Sequence, residues 1–294
     1  MPMYRNRLAH PLIVLWRIAN LLFALGVADR ASAQSPPAPS APQSARTNHA
    51  VLLESLSWDE AEHVLTPDTV VVVALGAESK EHGRHLQLNN DFLMAEYLKN
   101  RVLAAAPQNV VVAPTINYSF YPAFLEYPGS TSLKVDTARA VFTDIIHSLA
   151  HYGPHRFYIL NTGISTLRPL EDAAADLAKD GILLRYTDLT RDDPVEKKVR
   201  QSGGTHADEI ETSMMLYIAP ESVRMNKAVR DLSPNQPGGL TRDPKGKGTY
   251  SPSGVWGDPT LATREKGQAV VESLVLAILK DIDDLRQAPA AMAK

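Results

Sequence analysis

Residues 50–294 predict an α/β domain, a mainly parallel sheet flanked by helices on both faces. Three observations lead there. From residue 68 onward, short β-branched runs alternate with segments of helical spacing, which implies right-handed βαβ crossovers. The first run, DTVVVVALG (68–76), is apolar almost throughout, as a strand covered on both faces must be. Apolar residues make up 44% of the 294, enough to bury a core of that kind.

The elements follow in order. DFLMAEYLKNRVLAAA (91–106) carries apolar residues at helical spacing and stops at a proline. NVVVAP (109–114) is the second strand. KVDTARAVFTDIIHSLAHYG (134–153) is a helix, with Asp136 as N-cap and Gly153 as C-terminal stop. RFYILN (156–161) is a third strand, RPLEDAAADLAKDG (168–181) a helix closing on glycine, and ILLRYTDL (182–189) a fourth strand. Helices over 208–218 and 259–286 complete the set. Between them, 232–258 is rich in Gly, Pro and Ser and predicts a long, functional loop.

The N-terminus carries a different signal. Arg5 and Arg7 precede an apolar run (11–28), and ASAQ follows, with Ala31 and Ala33 at the small-residue positions of a cleavage site. That is the pattern of a secretory signal peptide (1–33) cut after Ala33, which places the mature chain in the periplasm or outside the cell. A transmembrane anchor is the competing reading, and Arg17 within the run counts against both. Residues 34–49, rich in Pro, Ala and Ser, read as an extended, solvated linker. A formal net charge of -3 supplies no basic field, so neither nucleic acid nor stable membrane insertion after cleavage is expected. With no cysteine, disulfides and thiolate-bound metals are excluded.

Ligands of open α/β sheets bind beyond the carboxyl ends of the strands. KEHGRHLQLNND (80–91) follows the first strand and LNTGIST (160–166) the third, so both belong at one sheet edge. Glu81, His82 and Asp91 offer two carboxylates and an imidazole, a set suited to zinc or manganese, and Asp91 could bridge two ions. Asp91 alternatively serves as an N-cap. His85 is either a third ligand or a donor orienting a carboxylate. In GGTHADEIETSMML (203–216), His206 opens a helix and is placed to act as general acid or base, with Glu211 orienting it or facing the first cluster. The competing reading is a capping segment with Thr205 at the cap. Trp256, in the long loop, either lines a substrate pocket or packs in the core. His147, His151 and His155 read as structural.

Together these segments resemble the creatininase (creatinine amidohydrolase) family over roughly residues 50–285. GAESKEHGRHLQLNND is similar to its G-x-x-E-x-HG-P-HLPL-x-x-D motif, matching at His82, Gly83, His85, Leu86 and Asp91. HADEIETS is similar to its HAGxxETS segment, matching at His206, Ala207, Glu211, Thr212 and Ser213. GVWGDPTLATREKGQAVVE and YPGSTSL resemble two further family pieces. The resemblance implies a creatininase-like, Rossmann-like layered sandwich with a metal centre, zinc or manganese, one or two ions per chain. It also implies homo-oligomers, hexamers among them. By motif, His82 would bind one ion, Asp91 would bridge, and His206 would be the acid/base.

The chain departs from that pattern in ways that bear on the site. Lys80 stands where the family carries a glutamate, leaving Glu81 or Glu78 as the substitute. The family's NGHGGN-type segment reads NTGISTL here, so Asn161 and Ser165 remain as donors in place of its histidine. The expectation is a divergent exported member: a metal-dependent amidohydrolase cleaving a non-peptide C–N bond of a small cyclic or linear amide. The alternative is a non-catalytic periplasmic protein that binds a ligand or metal on the same fold, which the missing histidine favours.

Overall fold

The computed structural model of the protein describes residues 49–289. The expected signal peptide, nearly all of the linker, and residues 290–294 lie outside the described residues. The sheet has five parallel strands in the order β1-β3-β2-β4-β5: Val51–Leu52, Val110–Ile116, Val70–Leu75, Arg156–Asn161 and Leu183–Tyr186. Every residue of β2 is buried, as its unbroken apolar run requires.

Alternation along the strands sorts the side chains onto two faces. Val70 and Val72, Val110 and Val112, and Tyr158 and Leu160 point to one face. There they meet helices α2 (Asn90–Ala105), α6 (Glu209–Ile218) and α7 (Arg264–Gln287). Val71, Val73, Val111, Phe157 and Ile159 point to the other, against α3 (Val135–Ala150) and α4 (Leu167–Leu177). The result is the layered α/β sandwich the alternation predicts. Two short helices complete it: α1 (Trp58–Val64), opened by a capping box of Ser57 and Glu60, and α5 (Pro194–Val199).

Strand order positions the site. β2 lies beside β4; the chain leaves β2 through α2 on one face toward β3 and leaves β4 through α4 on the other face toward β5, so the connections diverge at β2 and β4. The loops after these strands open a crevice at the sheet's carboxyl edge, where such folds bind ligands.

Several boundaries differ from the sequence expectation. The third helix begins at Val135 after Lys134, with Asp136 inside its first turn and making no cap. Thr205 does not cap α6; Asp208 does, accepting from the backbone N–H groups of Ile210 and Glu211 at 3.0 and 2.9 Å. The last helix does not begin at 259: Pro259–Leu261 forms a separate 3-10 turn, and Thr263 caps the start of α7. The long loop holds a two-stranded parallel ribbon, β6 (Leu240–Thr241) with β7 (Thr249–Tyr250). Among the described residues no helix is long and apolar enough to cross a membrane.

Candidate metal centre

The loop after β2 and the segment leading into α6 bring their ionisable side chains together above the crevice. His82 is fully buried. Its Nδ1 lies 3.0 Å from the Lys80 carbonyl, to which a ring N–H donates, and this turns Nε2 toward two carboxylates. Asp91 Oδ1 stands 2.7 Å from that Nε2 and Glu211 Oε1 3.3 Å. Asp91 sits in the first turn of α2, and its side chain is spent on His82 and Lys80, so the capping alternative is not taken. Glu211 is held from behind by the Ala207 N–H, 2.7 Å from Oε2, and from the side by the Asn90 amide, 3.2 Å from Oε1.

His206 lies three residues before α6, in a strand-like pairing with Trp256, and Glu81 Oε1 is 2.9 Å from its Nε2. Ala207 then turns at φ +47°, a left-handed conformation that costs a non-glycine residue energy and sets the angle between His206 and the helix. Phe124 lies against the His206 ring, centroids 4.4 Å apart.

The charges settle one another. Burial alone would lower the His82 pKa, but Asp91, aided by Glu211, outweighs both burial and Lys80 and raises it to about 9. Burial alone would raise Glu211 and Asp91; His82 next to each pulls both below the usual carboxylate range. The metal-free His82 therefore keeps its Nε2 proton, shared with two carboxylates, where a cation would otherwise stand. Two imidazoles and a carboxylate, His82, His206 and Glu211, have donor atoms within 4.8 Å of one another, and Asp91 adds an oxygen on His82. The imidazole of His82 with the carboxylates of Asp91 and Glu211 fits one divalent ion such as zinc or manganese, with His206 close beside it.

The site departs from the sequence expectation in its glutamates. Glu81, expected as a ligand, pairs with His206 instead; its other oxygen accepts from the Gly83 N–H at 2.8 Å. Glu211, expected on His206 or on the first cluster, faces the first cluster. Glu78 is exposed and accepts from the Asn117 amide at 2.6 Å, so it is not at the centre. Asn161 is not a ligand either: its amide donates to the Gly163 and Thr187 carbonyls and shapes the turn after β4. His85 orients no carboxylate. Its Nε2 pairs with Thr212 Oγ1 at 2.8 Å, its Nδ1 is buried without a partner, and burial lowers its pKa to about 4.

The centre opens into a cavity of about 420 Å³. Ser165 and Trp256 line it with Lys80, Phe124, His206 and Glu211, and the Trp256 indole N–H donates to the Ser233 carbonyl at 3.0 Å. Two participants were not singled out as site residues: the side chain of Lys80, which reaches Asp91, and Phe124. Lys80 was visible as a departure two residues before His82; nothing marked Phe124.

The Creatininase family profile, described as creatinine amidohydrolase, matches residues 54–282. The chain belongs to the creatininase family. It is similar to the creatinine amidohydrolase of Pseudomonas putida, 27% identical over 249 residues that cover 78% of this chain and 94% of the relative. It is also similar to a mycofactocin precursor peptide peptidase of Mycolicibacterium smegmatis, 26% identical over 224 residues, 72% of this chain and 83% of the relative. Solved creatininase structures share the fold at a TM-score of 0.67 and 24% identity, over 81% of this chain; one is the manganese form, covered in full, and another a mutant of Zn-Zn type, covered to 98%. The creatininase family is hydrolytic, and its members include a peptidase.

Proposed function

We propose that this chain is a metal-dependent hydrolase that cleaves a C–N bond of a small cyclic or linear amide. The observation that carries this reading is the convergence of Asp91 and Glu211 on His82 Nε2, at 2.7 and 3.3 Å, in a creatininase fold. His82, Asp91 and Glu211 would hold zinc or manganese, with His206 in reach as a further donor. A divalent ion bound there supplies Lewis-acid polarisation of the amide carbonyl and activation of a water.

The remaining work falls to the chain's own groups. His206, steadied by Glu81 and by the face of Phe124, accepts a proton from the attacking water and delivers it to the leaving nitrogen. Phe124 and Trp256 give the cavity apolar walls against which a ring or side chain can lie. The P. putida relative is named for a cyclic amide and the mycobacterial one for a peptide, which brackets the substrate class. Export to the periplasm or beyond, and a homo-oligomer, are part of the proposal; the leader pattern in residues 1–33 and the family resemblance support them.

Binding without hydrolysis is the second reading. The segment after β4 favours it, because its contribution to the cavity wall includes Gly163 and Ser165 and no imidazole. Turnover by the wild-type chain separates the two, with ligand bound but never cleaved deciding for the second, and a His206→Ala variant tests the role given to His206. On a panel of cyclic amides and short peptides, turnover should fall by roughly 10²- to 10⁴-fold with metal content unchanged. Undiminished turnover in His206→Ala would refute its role, and metal lost with His206 would make it a ligand instead.

A further inference from the structure

Asp91 has two oxygens, and only one faces His82. The other, Oδ2, is buried and accepts no well-aligned hydrogen bond; the Lys80 ammonium stands 2.6 Å from it as its ion-pair partner. Lys80 is buried, 5% exposed, and its chain is fixed at both ends. Its N–H donates to the Leu88 carbonyl at 3.0 Å, and its own carbonyl takes the His82 Nδ1 proton. The ammonium also rests 4.9 Å from the Phe124 ring centre and 5.5 Å from that of Tyr121, faces that favour a cation. A resident positive charge therefore occupies an aromatic and anionic niche on the far side of Asp91.

A carboxylate that bridges two ions with one on each oxygen needs both oxygens free of other cations. Here an ion placed on Oδ2 would stand beside an ammonium in a buried site, where like charges are poorly screened. Nor does the adjoining wall offer replacement ligands. Asn161 Oδ1 already accepts from the Gly163 N–H and the Thr166 hydroxyl, Gly163 has no side chain, and Ser165 brings only a hydroxyl.

Resting on the metal-hydrolase reading above, we infer that this chain binds one divalent ion, not two. The Lys80 ammonium permanently fills the second cation position, as a fixed positive charge on the cavity wall. This sets the chain apart from the mutant creatininase of Zn-Zn type whose fold it shares.

Cobalt(II) titration of the chelator-stripped chain tests this, with visible absorption giving coordination and equilibrium dialysis giving equivalents bound. The wild-type chain should saturate at one equivalent. Lys80→Glu, which replaces the ammonium with a carboxylate, should take up a second. Should that variant fold poorly, Lys80→Gln serves: removing the positive charge should tighten the first equivalent roughly tenfold. Two equivalents on the wild-type chain would overturn the inference and leave the metal-hydrolase reading standing. No cobalt bound at all would overturn that reading and this one together. A Lys80→Glu chain that still takes one equivalent, or a Lys80→Gln chain that binds more weakly, would show that the ammonium does not fill the second position.

Discussion

Glu81 shows how one side chain's role depends on a residue far away in sequence. Its carboxylate is wedged between the His206 ring, the Gly83 N–H and Gly254, where any Cβ would strike the carboxylate itself. Gly254 also sits at φ +79°, a left-handed conformation that suits glycine. Gly254→Ala should therefore push Glu81 off His206, lowering kcat/KM roughly ten- to hundredfold, as loss of an orienting partner does. Metal content, measured on the same sample, should not change. Retained kcat/KM would show that His206 needs no support from Glu81. His82 and Asp91 were legible from the loop after β2, which strand order sends to the ligand-binding edge, and His206 and Glu211 from the 203–216 segment that resembles the family's HAGxxETS piece. Which glutamate serves which histidine was not legible. That depends on the left-handed turn at Ala207 and on the approach of Gly254, and neither leaves a mark in local spacing.

At the scale of elements, α6 carries Glu211 and must be held close to α7. The two helices approach so tightly at Gly267 that a Cβ there would collide with the Ser213 carbonyl. In an exposed helix, Gly→Ala stabilises by about 1 kcal/mol. Here overpacking, typically about 1–3 kcal/mol, opposes it and should win because the struck atom is backbone. Gly267→Ala should lower the midpoint of thermal unfolding; an increase would mean the helices can part at no cost. The strands and long helices were readable because β2 is one unbroken apolar run and the helices bury a continuous stripe. The misplaced start of the last helix has a physical cause. Asp258 and Pro259 are a good helix opening, and they do open a turn, but the chain leaves it at Ala262 and starts again on the Thr263 cap. Two-residue strands such as β1 and the ribbon strands carry too little periodicity to be read.

For the molecule as a whole, buried charge makes metal-free stability depend on pH. The His82 pKa is raised from 6.5 to about 9, so its stabilisation is complete below pH 6.5 and is lost as pH rises through 9. Asp91 and Glu211 are lowered from 3.8 and 4.5, so theirs is complete above those values and lost as pH falls below them. His85 works the opposite way to His82 below neutrality: buried and held near 4, it stays neutral in the fold while the unfolded chain protonates it, so stability also falls from pH 6.5 toward 4. The chelator-stripped chain should therefore be most stable near pH 6.5 and melt earlier toward both pH 4 and pH 9. Zinc should flatten the alkaline decline, because an ion in place of the His82 proton removes the need for it. Melting curves across pH, with and without zinc, check this; an alkaline decline that zinc leaves untouched would place the ion elsewhere.

The central claim is an ion held by His82. Its most direct test is the metal content, by mass spectrometry, of the chain purified without chelator or nickel resin, beside His82→Ala. The account predicts bound zinc or manganese in the first and a marked loss in the second. A chain that holds no divalent metal even after incubation with zinc or manganese, or a His82→Ala chain that holds as much as wild type, would contradict it.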